Sequence, residues 1–361
     1  MIETAELDLI RQNVARFGDG VVRPSLDALN HYPDVALPER LFGTLTEMGL
    51  FDLPADGSGA LSVALETLSA AAGAPAVSIL AHVMGREILT ASRRESLRGV
   101  IDGHASRPTF AYPIYAETSG SSGVHVRRLG GEIAVEGVAT LVVNAPVARA
   151  VVVPATEVDG AQVVLAIETS AARLRICEPL LTLGMRGCPT ADVAFDGVRV
   201  PADRLIAGSS GAAALIDDVA HRLRGPVAAI CAGILGSSLH AAVAYAKERH
   251  QGGRAIVEHQ EVRSILARMI EDHVLCRDAA ERLSRGVLPE PDALALLVRC
   301  KERAAHATCD GVQLLGGYGY MEEYGQERRM RDAKQAQCLL GRTEWLRQQL
   351  TSAFIAGGGR P

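Results

Sequence analysis

Aromatic residues are scarce in this chain. They make up 4% of 361 residues, with one tryptophan, six phenylalanines and seven tyrosines. That scarcity argues against an aromatic-rich β-sandwich, whereas a 48% hydrophobic share built largely on Ala, Leu and Val suits packed helices. Excess positive charge is also missing. With 37 Lys and Arg against 42 Asp and Glu the net charge is −5, which excludes the broad basic face that nucleic acid requires. The seven cysteines (177, 188, 231, 276, 300, 309, 338) contain no C-x-x-C pair, so neither a disulfide framework nor a zinc site is expected; no metal is assigned. The first residues, MIETAELDLIRQNVARF, are acidic and amphipathic and lack the basic region of a secretory leader. Reduced thiols and no leader predict a cytoplasmic protein. One run, from Pro226 to Ala246, is long enough to span a bilayer. However, Ala and Gly dominate it, Ser237, Ser238 and His240 interrupt it, and it runs directly into Lys247-Glu248-Arg249. The expectation is a helix buried in a bundle, with no membrane partner.

The texture changes twice along the chain. Leu7, Ile10, Val14 and Phe17 recur at helical spacing, as do Leu41, Leu45 and Met48. Residues 60–84 read as two tightly packed helices broken near Gly73 and Pro75. From about Pro108 to Val200, short β-branched runs alternate with Gly, Pro and Asp: 133–135, 141–143, 151–153, 163–167 and 193–195. Helical periodicity then returns at 212–250, 256–285, 292–315 and 331–355. The order predicts an α+β fold: an N-terminal helical domain over 1–105, a middle β-domain over 106–204 and a C-terminal four-helix bundle over 205–361.

The densest signal is Gln313–Trp345, QLLGGYGYMEEYGQERRMRDAKQAQCLLGRTEW. It resembles the C-terminal signature of the acyl-CoA dehydrogenase family, flavoenzymes that oxidise acyl thioesters. Four other stretches match in order. Ala111–Tyr115 leading to Gly120-Ser121 resembles the first flavin-binding strand and its turn. Arg186–Pro201 resembles the exit from the β-domain. Arg224–Arg249 is similar to the first long C-terminal helix, and Glu258-His259-Gln260 to the start of the next. Together these cover most of the chain beyond residue 105.

The resemblance implies FAD, an acyl thioester on CoA or on an acyl carrier protein, and an oligomer (a homodimer, a homotetramer or a hetero-oligomer) in which each FAD lies between two subunits. Residues that a subunit lends to its neighbour's FAD are largely kept: Arg249, Gln313, Gly316 and Gly317, with Gln260 nearby, although Gln251 replaces the usual threonine. An arginine forks onto a diphosphate, and glycines admit the adenosine end. Residues applied to the subunit's own flavin have drifted. Tyr115 stands at a strand threonine, Leu141 and Val143 replace a tryptophan and a threonine, and Arg342 replaces the threonine after the catalytic glutamate-glycine. Tyr112, Ser121, Thr343 and Glu344 complete the expected cofactor set, and Arg224, Leu223 and Gly341 the expected substrate set.

The catalytic glutamate is the main departure. Its position reads Leu340, and the alternative family position, before Arg224, reads Leu223. The Leu340 backbone N–H remains the expected donor to the thioester carbonyl. Glu117, Tyr115, Glu344 and His221 are the candidate replacement bases. Three readings stay open: a flavoenzyme with another base or an activated substrate, as in relatives that oxidise hydroxylated acyl groups for polyketide extender units; a non-catalytic partner subunit; or a scaffold. Other features have ordinary explanations. Gly316–Gly319 follows a helix and is no dinucleotide fingerprint. His306 and Cys309 lack a second pair of ligands. Arg328, Arg329 and Arg331 are expected to be solvated or to pair with Glu322, Glu323 and Glu327.

Overall fold

A computed structural model describes residues 4–32, 39–92, 97, 110–118, 123–208 and 211–357. The N-terminal part is helical: α1 (Thr4–Phe17), a short α2 (Leu26–Asn30), α3 (Glu39–Glu47), α4 (Ala60–Ala71) and α5 (Gly73–Ala91). The expected break in 60–84 falls at Ala72, in extended backbone at φ −157°. A Cβ on Gly73 would stand 2.7 Å from the Met185 sulfur, so a side chain there would have to displace that thioether.

Eight strands follow: β1 (Phe110–Ala111), β2 (Val124–Leu129), β3 (Glu132–Val143), β4 (Ala150–Glu157), β5 (Gln162–Glu168), β6 (Leu174–Pro179), β7 (Thr190–Pro201) and β8 (Leu205–Ala207). They form one mixed sheet in the order β6-β7-β3-β2-β4-β5-β8, with β1 parallel to β4. The runs at 133–135 and 141–143 belong to a single strand, β3, bulged against β7. Sequence patterning missed β2, whose outward positions are His125, Arg127 and Arg128, and β6, which lacks a buried face. Asn144, in the left-handed region at φ +68°, ties the sheet to α5. Its amide donates to the Ser78 and Phe110 carbonyls at 2.9 and 3.2 Å.

The C-terminal bundle comprises α6 (Ala212–Glu248), α7 (Gln260–Ser284), α8 (Glu290–Leu315), α9 (Gln326–Ala336) and α10 (Thr343–Ala356), with a two-stranded turn of β9 (His250–Gln251) and β10 (Arg254–Ala255) after α6. The apolar run 226–246 lies within α6 and is mostly buried, as expected of a core helix. The expected helix 331–355 is two helices. Between them Leu340 and Gly341 take φ of +55° and +102°, which no helix admits. A Cβ on Gly341 would stand 2.6 Å from the Trp345 ring, so close approach fixes glycine there.

α9 docks onto the sheet through its polar face. Asp332 and Gln335 accept the Met185 and Gly184 N–H groups at 2.6 and 3.1 Å, and Arg331 donates to Leu183 C=O and to Asn30. The break after α9 is fastened from beneath by Lys301 on α8. This lysine is fully buried and donates to the carbonyls of Leu339 and of Gly341, the latter at 3.0 Å. Burial pushes the amine down from 10.5 to about 7. An uncharged amine has two N–H donors, one for each carbonyl.

The linkage follows from that shift. Between about pH 7 and 10.5 the unfolded chain holds a proton on Lys301 that the folded chain does not, so stability rises with pH across that window and is flat below it. Lys301→Met removes this rise and leaves both carbonyls without a donor, costing on the order of 1–3 kcal/mol in the alkaline range. Thermal denaturation of both proteins from pH 6 to pH 10, in steps of about one unit, tests it. A wild-type-minus-variant gap that does not grow with pH refutes the buried neutral amine.

Candidate active site

A cavity of about 400 Å³ opens where α6, α8 and α10 meet the 337–342 segment. Leu340, Leu294, Leu297, Leu346 and Trp345 form its apolar side, and His221, Arg224, Glu290, Asp217 and Asp218 its polar side. Helical geometry assembles the polar group: His221 and Arg224 are three apart on α6 and project together, and Glu290 begins α8. Arg224 forks onto Glu290, with NH2 to Oε1 at 2.6 Å and NH1 to Oε2 at 2.7 Å. His221 Nδ1 lies 3.0 Å from the same Oε2. Hydrogen bonds from His221 and Arg224 hold the Glu290 carboxyl down at about 2, so it is ionised throughout the ordinary pH range. Arg224 NH1 is also 3.0 Å from His221 Nδ1, but its shorter bond is to Oε2. The pattern is satisfied when Nδ1–H donates to Glu290 and Nε2 carries the lone pair.

Arg224, expected in the substrate set, is engaged in an ion pair. The partner is Glu290 of the same chain, which sequence reading did not single out because it lies 66 residues away. Leu223 and Leu340 are both buried, at 0% and 3% exposure. Neither glutamate position of the family pattern carries a carboxylate in this fold.

Two expected site roles change. The Leu340 N–H is not turned toward the cavity; it donates to the Ile114 carbonyl at 2.8 Å, because the left-handed turn aims it at the turn that follows β1. Glu117 is held by Arg342, whose Nε and NH2 reach Oε1 at 3.1 and 2.7 Å, so the candidate base is engaged by the drifted arginine. The backbones of Tyr112 and Val143 bond mutually at 3.1 Å in both directions. Tyr115 turns inward, its hydroxyl accepting from Gln335 at 3.1 Å. Thr343 is buried at the start of α10, its hydroxyl on Gln337 C=O at 3.3 Å, and Glu344 is exposed. Ser121 lies outside the described residues.

Arg249, Gln251, Gln260, Gln313, Gly316 and Gly317 are all exposed. Tyr245 near the end of α6 packs edge-on against Tyr318, with ring centroids 6.2 Å apart, so Arg249 and the Gln313–Gly317 segment share one end of the bundle. Arg249 has no ion pair among the described residues, Gly316 stands at φ +58°, and a Cβ on Gly316 or Gly317 would meet nothing within 4 Å. A free guanidinium, a primary amide and open glycine backbone form a donor set that fits a diphosphate with an adenosine end. Along α6, Arg224 and Arg249 are 25 residues and thus about 37 Å apart, farther than one dinucleotide reaches.

The family description "Acyl-CoA dehydrogenase, C-terminal domain" matches residues 210–355. The chain is 28% identical over 355 residues to a probable acyl-CoA dehydrogenase, YngJ, of Bacillus subtilis, covering 92% of this chain and 93% of that protein. It is 35% identical over 185 residues to a probable acyl-CoA dehydrogenase (fadE25) of Mycobacterium bovis, covering 48% and 46%. Among solved structures its fold is similar to glutaryl-CoA dehydrogenase from Mycobacterium smegmatis, with a TM-score of 0.87 at 18% identity over 98% and 96% of the two chains. It is also similar to the prolyl acyl carrier protein oxidase AnaB, with a TM-score of 0.82 at 18% identity over 97% and 99%. Helical ends around a mixed sheet, the Gln313–Gly317 edge and full-length likeness converge: the chain is similar throughout to the acyl-CoA dehydrogenases, FAD-dependent oxidoreductases acting on acyl thioesters, and residues 210–355 match their C-terminal domain.

Proposed function

We propose that this protein oxidises an acyl thioester and that the His221–Glu290 pair takes the place of the missing glutamate as base. The observation that carries the reading is the cavity itself, which gathers Leu340 and His221 onto one wall set while both family base positions are leucine. FAD, when bound, supplies the hydride acceptor. The chain's own part is to hold the acyl group against Leu294, Leu297 and Leu340, and to accept the α-proton on His221 Nε2. Glu290 is a positioning residue: it fixes the Nδ1–H tautomer and stabilises the imidazolium that forms, and Arg224 holds Glu290 in place. Asp217 at the rim leaves the cavity mouth acidic. The thioester carrier is CoA or an acyl carrier protein; the similarity to a carrier-protein oxidase supports the second.

A second reading has an observation of its own. The edge around Arg249 is open, whereas Leu340 N–H and the Glu117–Arg342 pair join the 340–342 loop to the 114–117 turn. Such a subunit is suited to lending Arg249 and Gln313 to a competent partner in a hetero-oligomer. In a homo-oligomer the same edge serves a second copy, since it is too far from the cavity on its own chain.

Two experiments separate these readings. The visible spectrum of the protein purified alone is expected to show a stoichiometric flavin band; colourless protein that becomes active only with a second family subunit establishes the partner role instead. In flavin-loaded protein, His221→Ala should lower kcat by about 10²–10⁴-fold while the flavin band persists, with partial rescue by added imidazole. Glu290→Gln should lower kcat more than it changes KM. Unchanged turnover in His221→Ala rules the pair out as the base.

A further inference from the structure

The cavity that gathers Leu340 and His221 has ionisable groups of both signs in its lining, and their balance limits the acyl group it can hold. Its carboxylates are Asp217, Asp218 and Glu290, and its guanidinium is Arg224. Glu290 occupies both terminal nitrogens of Arg224, at 2.6 and 2.7 Å, and only 11% of the Arg224 side chain is exposed. With its end-on edge filled and its surface nearly covered, this guanidinium has little left to offer a second carboxylate.

The cations on the surrounding segments are engaged as well. Arg222 on α6 is bonded to Glu87 at 2.7 Å and lies 3.3 Å from Asp218. Arg342, two residues after Leu340, is held on Glu117 at 2.7 Å. Lys301 lies beneath the same turn and donates to the carbonyls of Leu339 and Gly341. Asp217, by contrast, makes no ion pair or hydrogen bond among the described residues. With His221 neutral, a ligand in this space meets one uncompensated carboxylate and no free cation among the described residues.

An acyl group ending in a carboxylate would shed water on entering and meet repulsion from Asp217 and Glu290 where it needs a donor. An uncharged acyl group meets Leu294, Leu297, Leu340, Leu346 and the Trp345 indole instead. That ring is seated against Gly341, where a Cβ would stand 2.6 Å from it. We propose, on the reading of this cavity as the acyl site, that it filters by charge: it admits uncharged acyl groups and rejects those ending in a carboxylate. Glu290 sets the preference, because it closes the one guanidinium of the lining.

The test reads binding, not turnover. The chain's one tryptophan lines the cavity, so its fluorescence reports occupancy, and calorimetry on the same full-length protein supplies a second readout. The probes are the pantetheine thioesters of pentanoate and glutarate, equal in chain length and differing by one terminal carboxylate. They are titrated at about pH 8, above the ordinary range of imidazole. Pentanoyl-pantetheine should bind at least about tenfold more tightly than glutaryl-pantetheine. Glu290→Gln opens Arg224 to a ligand carboxylate and should tighten the glutaryl thioester by about tenfold or more, with the pentanoyl thioester changed by less than about threefold. Asp217→Asn, at an exposed position of α6, should narrow the gap by about two- to fivefold and keeps the test intact if Glu290→Gln does not fold. Equal affinity for the two thioesters, a tighter glutaryl thioester in the wild type, or a gap that neither variant narrows overturns the filter and leaves the base assignment standing. Binding of neither thioester by either readout overturns the filter together with the assignment of this cavity to the acyl group.

Discussion

The geometry of this protein depends on one buried amine. Lys301 rises from the middle of α8 and holds the carbonyls on either side of Leu340, and that contact lets the chain stop α9, reverse through two left-handed residues and start α10. Without a donor beneath it the turn would bury two orphan carbonyls, a cost comparable to a large core substitution. With it, Leu340 is delivered to the cavity lining and its N–H to the Ile114 carbonyl, which joins the bundle to the turn after β1. The clamp thus acts at once on stability, on domain docking and on the shape of the Leu340 cavity.

Around that turn the cavity has two kinds of lining. Leu340 contributes to an apolar wall, and the ionisable groups gather about Glu290, which His221 and Arg224 hold ionised. An ion pair of this kind links α6 to α8 whatever else it does. Its position at a cavity rather than on a plain helix seam is what gives it chemical meaning, since a histidine fixed by a carboxylate on one nitrogen offers its other nitrogen to whatever occupies the space.

The resemblance was legible because it rests on short-range chemistry. Gln313, Gly316 and Gly317 follow one another, Arg249 ends a helix visible from its small-residue periodicity, and the α–β–α change of texture follows from local propensity. The same local patterning failed where tertiary contacts override it. β2 carries exposed arginines and so lacks apolar alternation, the 331–355 periodicity runs through a break that Lys301 imposes from another helix, and β6 has no buried face to announce it.

What the sequence by itself determined is the likeness to acyl-CoA dehydrogenases and the presence of leucine at 223 and 340, because both depend on which residue types occupy ordered positions along the chain. The tertiary structure alone decided where the remaining charges meet. It paired Arg224 with Glu290 across 66 residues, tied Arg342 to Glu117 across 225, and left Arg328 and Arg329 without the glutamates beside them in sequence. Electrostatic partnership falls off with distance in space, and linear neighbours on a helix face away from one another as often as together.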